Sequence, residues 1–246
     1  MDANEAARTA RIALACLDLT SLGDADTEAD VERLCRRAQG PFGNTAAVCV
    51  WPRFVAFARA RLPAAVRVAA VANFPDGSSD VARAVRDTQA IVDAGGDEVD
   101  VVIPYRDLDT APALLAAVRR ACEGRTLKVI LETGVLADET LIRRACRIAL
   151  DAGADFLKTS TGKAKLSATP AAAKLLLEAI DPASKVGFKP AGGIRTVADA
   201  AVYIELAAAR FGAVSPARFR IGASGLLDDV EAVLGGRAPS ASQASY

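Results

Sequence analysis

The sequence predicts an α/β fold, a single closed (β/α)₈ barrel, on three observations. Short apolar, β-branched runs alternate eight times with longer amphipathic, Ala-rich stretches, the pattern of parallel β/α units. The length, 246 residues, suits one such barrel. The turn after the first run reads Asp18-Leu19-Thr20-Ser21, whereas the runner-up fold, an open doubly wound sheet, normally carries a glycine-rich dinucleotide turn there.

Taken in order, strands are expected at 12–18, 45–51, 66–73, 98–104, 127–132, 155–160, 185–190 and 219–223. Helices are expected between and after them, at 27–39, 53–61, 79–94, 108–122, 138–151, 169–180, 196–211 and 225–234. Thr27 with Asp30, and Thr169 ahead of Pro170, have the chemistry of helix N-termini. Gly95-Gly96 and Gly153 stand where helices should stop. No linker divides the chain, so residues 1–234 read as the barrel. Residues 235–246, rich in Gly, Ser and Ala, read as a flexible tail ending on Tyr246.

Composition removes several function classes. Basic and acidic residues balance at 30 each, so no global field draws nucleic acid or an anionic membrane. The apolar runs are too short to span a bilayer. Asp18 interrupts the first run too early for a secretory signal, and the expectation is a cytoplasmic protein. The five cysteines are odd in number and lack C-x-x-C spacing, which points to reduced structural thiols, Cys49 in a strand among them. There is no histidine. Ser-His-Asp and Cys-His catalysis and His-ligated zinc are therefore excluded, and neither a metal nor another cofactor is expected.

Lysine is scarce. Seven of the 30 basic residues are Lys, and six of those seven fall between Lys158 and Lys189. Lysine can lose its proton and act as a nucleophile, which arginine effectively cannot. In a barrel the site lies at the C-terminal ends of the strands. Charged residues embedded in apolar strands there are Asp18, Asp100, Lys158 and Lys189. A structural ion-pair network is the bland account of them, yet buried charges seldom improve on a hydrophobic core. Two lysines on adjacent strands repel as cations, and with desolvation this lowers the pKa of one amine toward neutrality. The result is the free amine that imine formation requires.

Anion-binding features sit in three successive loops. Ala191-Gly192-Gly193 follows strand seven, and Gly222-Ala223-Ser224-Gly225 leads from strand eight into a helix. Bare backbone N–H groups and a helix N-terminus there suit a phosphate. Thr161-Gly162-Lys163 after strand six adds a cation.

These residues also carry a resemblance. The segments 156–163, Phe-Leu-Lys-Thr-Ser-Thr-Gly-Lys, and 187–195, Gly-Phe-Lys-Pro-Ala-Gly-Gly-Ile-Arg, closely resemble the two signature segments of the deoxyribose-phosphate aldolase family. Leu17-Asp18-Leu19-Thr20, Ala47 to Pro52, Asn73-Phe74-Pro75, Asp97 to Tyr105, Leu131 to Gly134 and Gly222-Ala223-Ser224 follow in family order over nearly the whole chain. The Ser-rich tail ending at Tyr246 resembles that of one branch. The resemblance implies a TIM barrel and a cofactor-free, reversible cleavage of 2-deoxy-D-ribose 5-phosphate to glyceraldehyde 3-phosphate and acetaldehyde. It implies Lys158 as the imine-forming amine, Lys189 as the group that lowers its pKa and relays protons, and Asp100 as acid and base. Asp18 would hold Lys189, and Tyr246 would reach back to the enamine carbon. Thr159, Gly162, Lys163, Gly192, Gly193, Gly222, Ser224 and Gly225 would bind substrate and phosphate.

The implied partner is a small phosphorylated aldehyde, not nucleic acid or membrane. A homodimer is one expectation for the assembly, which no sequence feature fixes. Departures from the family pattern are Asp76 after Pro75, Gly225 where a second Ser is frequent, and a shorter stretch between Tyr105 and Leu127. Glu132 receives no role. Three competing readings remain: another lysine-imine aldolase of the transaldolase or keto-acid type, a phosphosugar isomerase using carboxylates, and an inactive barrel that binds without turnover.

Overall fold

Eight parallel strands pair around a barrel in the order in which the chain makes them. In the computed structural model, which describes residues 1–242, they are β1 (Leu17–Thr20), β2 (Ala47–Val50), β3 (Arg67–Ala72), β4 (Glu98–Val102), β5 (Thr126–Ile130), β6 (Phe156–Lys158), β7 (Gly187–Lys189) and β8 (Ile221–Ala223). β8 pairs with β1, and the ladder continues without a crossover to β7. Two isolated bridges, Phe188 with Phe219 and Ala191 with Gly222, join β7 to the β8 side and complete the ring. There the Arg220 N–H donates to the Phe188 carbonyl at 3.1 Å, and the Gly222 N–H to the Pro190 carbonyl at 2.9 Å. Strands such as β3 are almost continuously apolar because one face meets the barrel interior and the other meets helices.

The helices are α1 (Ala3–Ala15), α2 (Glu28–Arg37), α3 (Val55–Arg59), α4 (Val81–Asp93), α5 (Ala111–Ala121), α6 (Thr133–Leu136), α7 (Glu139–Asp151), α8 (Pro170–Ala179), α9 (Val197–Phe211) and α10 (Leu226–Leu234). Among the described helices none is long and apolar enough to cross a membrane. The capping signals act as expected from the sequence. Thr27 and Asp30 form a reciprocal capping box on α2, and the Thr169 hydroxyl accepts from the Ala172 N–H with Pro170 in the first turn of α8. Gly95 and Gly153, both at positive φ, follow the last residues of α4 and α7.

The first element departs from expectation. Residues 12–15, predicted as the start of a strand, complete α1, and the strand begins at Leu17. Asp2 caps α1 by accepting from the Glu5 N–H, and Ala6, Ala10, Ala13 and Leu14 form a buried helical stripe. The helix packs on α9 and α10. A small hairpin, Gln39–Gly40 against Gly43–Asn44, and the single-turn α6 were also not anticipated.

Candidate active site

Register brings the charged strand residues together. Asp100 on β4 lies opposite Lys128 on β5, and Lys158 on β6 lies opposite Lys189 on β7. Side chains at matching positions of neighbouring strands point to the same face, so all four meet inside the barrel, with Asp18 of β1 completing the circle.

The resulting network is buried. Asp18, Asp100, Lys128 and Lys189 have no exposed surface, and Lys158 retains 3%. One Asp100 oxygen accepts from Lys158 at 2.7 Å and from Lys189 at 2.8 Å, while the other accepts from Lys128 at 2.7 Å. Lys189 also donates to Asp18 at 2.5 Å. Below this tier, Lys128 bonds Glu98 at 2.5 Å, and Arg220 bridges Glu98 and Asp18 at 2.8 and 2.7 Å.

Charge counting makes the network chemically interesting. Four cations (Lys128, Lys158, Lys189, Arg220) face three carboxylates (Asp18, Glu98, Asp100). Burial disfavours an unbalanced charge, so the arrangement favours losing one proton from one cation. Desolvation drives the Lys158 amine down from its ordinary value and the Lys189 charge adds to this, with Asp100 opposing. Burial would lower Lys128 and Lys189 as well. Asp100 with Glu98 overcomes it for Lys128, and Asp100 with Asp18 overcomes it for Lys189, so both stay above the usual lysine range. Asp100 would be raised by burial, but its three lysines hold it well below the carboxylate range. Asp18 is likewise held down against burial, by Lys189, Arg220 and Lys128. Lys158 is thus the lysine of the network whose pKa is pushed down, and it is the one that opens outward.

It opens onto a cleft of about 800 Å³ at the C-terminal ends of the strands. Gly162 and Lys163 border the cleft after β6, Gly192 and Gly193 after β7, and Gly222, Ser224 and Gly225 along β8 and its loop. Gly162, Gly192 and Gly193 hold positive φ, a conformation that L side chains rarely adopt. At Gly192 a Cβ would also press to 2.6 Å from Ser167. Gly225 is the N-cap of α10, so that helix presents its free N–H end to the same space. The Lys163 ammonium donates to the Leu22 carbonyl at 2.8 Å, tying the loop after β6 to the loop after β1.

Of the residues singled out from sequence, Lys158 and the seven loop residues above line the cleft. Asp18, Asp100 and Lys189 sit directly behind Lys158. Thr159 is fully buried, and its hydroxyl accepts from the Ala191 N–H at 3.0 Å, fixing β6 to the glycine loop after β7. Tyr246 lies outside the described residues. Cys49 is buried beside the network, and burial, with Asp100 adding, pushes its thiol up; an inert packing role fits it. Asp76 pairs with Arg83 of α4 at 2.9 Å.

Sequence reasoning missed Lys128, Glu98 and Arg220. The signal was present: Leu127-Lys128-Val129 and Phe219-Arg220-Ile221 also place a charge between apolar strand residues. Glu132, given no role from sequence, makes an orienting contact. It ends the run after β5 at φ 56°, is buried, and accepts from the Thr161 hydroxyl and N–H. Burial raises its carboxyl against the pull of those hydrogen bonds.

Residues 12–229 match the family model described as DeoC/LacD family aldolase. The deoxyribose-phosphate aldolase of Agrobacterium fabrum is 49% identical over 257 aligned residues, spanning 100% of this chain and 99% of that protein. Among solved structures, a candidate deoxyribose-phosphate aldolase from Toxoplasma gondii ME49 superposes with a TM-score of 0.88 at 24% identity, covering 96% of this chain and 98% of that one. The deoxyribose phosphate aldolase of Aeropyrum pernix gives 0.76 at 24% identity, covering 94% and 98%. At that identity the two structures speak for the barrel fold.

Proposed function

The chain belongs to the DeoC/LacD family of aldolases and is an enzyme, a lyase, and from that premise we propose that it cleaves 2-deoxy-D-ribose 5-phosphate reversibly to D-glyceraldehyde 3-phosphate and acetaldehyde through an imine on Lys158. The observation that carries this reading is the excess cation. Among four buried cations facing three carboxylates, Lys158 has its amine driven down and opens onto the cleft.

The neutral Lys158 amine attacks the C1 aldehyde to give a carbinolamine, and loss of water gives the iminium. Removal of the proton on the C3 hydroxyl then breaks the C2–C3 bond, releasing glyceraldehyde 3-phosphate. The bonding pair moves into the iminium, leaving an enamine. Protonation at C2 and hydrolysis return acetaldehyde and the free amine. Asp100 touches Lys158 and Lys189 through one oxygen, which suits proton transfer to and from the carbinolamine by way of a water. Lys189, kept protonated by Asp18 and Asp100, supplies the positive field that keeps Lys158 neutral. Tyr246 is assigned the proton at the enamine carbon. The glycine loops after β7 and β8, the α10 N-terminus and Lys163 are assigned the phosphate.

The test is product analysis on the purified protein in the presence of a chelator. With 2-deoxyribose 5-phosphate the reading expects equimolar acetaldehyde and glyceraldehyde 3-phosphate. Isomerised sugar phosphate without carbon–carbon cleavage, or a requirement for a ketone donor in the reverse direction, would overturn it.

A further inference from the structure

After α10, residues 235–242 turn back toward the barrel. Gly236 holds φ 91°, and the N–H groups of Gly236 and Arg237 donate to the carbonyls of Val233 and Ala232, closing the helix end. The segment then returns along α10 to that helix's first turn. There the Ser240 N–H donates to Asp229 at 3.1 Å, and the Ser242 hydroxyl donates to Asp199 at 2.6 Å.

Each of these carboxylates has its other oxygen on the start of α9, the helix that follows the Gly192-Gly193 loop. Asp229 accepts from the Val197 N–H at 2.7 Å, and Asp199 from the N–H groups of Arg195 and Thr196, both at 3.0 Å. Both are buried. Two rigid carboxylates therefore fix the returning segment to the frame that holds the glycine loop.

The segment brings a cation with it. Arg237 is exposed and lines the same cleft as Gly192, Gly193 and Ser224, and its guanidinium has no hydrogen bond or ion pair among the described residues. An anion at this end meets Asp228 and Asp229 in the first turn of α10, where negative charge would oppose it. Asp229 is occupied by two backbone N–H groups, and Asp228 is paired with Arg37 at 2.7 Å. Added positive charge at the rim offsets what remains.

We propose that Arg237 is a further phosphate-recognition residue, supplied by the C-terminal segment and held over the glycine loops by the docking of Ser240 on Asp229 and Ser242 on Asp199. The inference rests on the aldolase reading above and extends its phosphate site from the barrel loops to the chain end.

The experiment compares Arg237→Ala, Arg237→Lys and the unaltered protein on 2-deoxyribose 5-phosphate and on 2-deoxyribose, with inorganic phosphate as a competitive inhibitor. An exposed charge-assisted contact is expected to lower the ratio of kcat/KM for the phosphorylated over the free sugar about fivefold in Arg237→Ala. Inhibition by phosphate should weaken by a similar factor. Arg237→Lys should recover most of both effects, and the difference should shrink as ionic strength rises. The double variant Ser240→Pro, Ser242→Ala should lower the same ratio with Arg237 intact. Equal losses on both sugars, or no change in phosphate inhibition, would overturn the proposal. Absence of carbon–carbon cleavage by the unaltered protein would instead strike the aldolase reading itself, so the two failures are distinguishable.

Discussion

Replacing Lys189 by Met should raise the pKa of Lys158 and favour its ammonium form, because the Lys189 charge is one of the causes that lower it. Both lysines bond the same Asp100 oxygen, at 2.7 and 2.8 Å, so their nitrogens lie within about 5.5 Å of one another. At an effective dielectric constant of about 20, two unit charges at about 5 Å repel by about 3 kcal/mol, or about two pH units. The substitution also leaves three cations against three carboxylates, which removes the excess that favours losing a proton from Lys158. Met is close to Lys in length and fills most of the vacated space. The assay is the initial rate of borohydride trapping of acetaldehyde, measured from pH 6 to 10 with unfolding curves as a control for the fold. The profile of Lys189→Met should move about two units alkaline. Its rate at pH 7 should fall about 100-fold and recover about tenfold per pH unit. A folded variant with a loss uniform across the pH range would refute the electrostatic argument and leave Lys189 a different task.

Further outcomes follow from the same geometry. A Cβ at Gly222 would lie 2.9 Å from the Ala191 Cβ and 3.1 Å from the Lys189 Cε. Gly222→Ala should therefore displace Lys189, cost about 1–3 kcal/mol in urea unfolding and reduce activity, whereas native-like stability and rate would contradict it. Asp18 and Asp100 have folded-state pKa values below their unfolded ones. Their contribution to stability is full above the unfolded value of about 4 and is lost as pH falls through the folded value. The urea midpoint should accordingly drop below about pH 4, and a flat profile there would contradict the depressed pKa values. Deleting Tyr246 should slow turnover while leaving the unfolding midpoint in place; an unchanged rate would remove it from the mechanism.

Much of this molecule was legible because barrel strands confine charge so tightly. An apolar strand that contains Lys158 or Asp100 has to aim it inward, and the alternation of eight such strands with amphipathic helices leaves few architectures to consider. The start of the chain was not legible in the same way. Ile12-Ala13-Leu14-Ala15-Cys16-Leu17 is a short continuous apolar run, and periodicity alone does not separate a buried strand from the last turns of a helix. The deciding stripe begins earlier, at Ala6. Lys128 was overlooked because it lies outside the lysine-rich segment, although it meets the criterion that selected Asp100, with apolar neighbours on both sides. Its burial and three carboxylate neighbours appear only when β4 and β5 are set in register. The docking of Ser240 and Ser242 joins residues that are 11 and 43 positions from their partners, and no local pattern encodes it.

Reductive trapping with acetaldehyde, followed by peptide mass spectrometry, tests whether Lys158 carries the imine. A single ethylated lysine is expected at Lys158, absent from Lys158→Ala and suppressed by 2-deoxyribose 5-phosphate. No adduct, or labelling scattered over exposed lysines such as Lys163 and Lys165, would contradict it and make the buried network a structural feature.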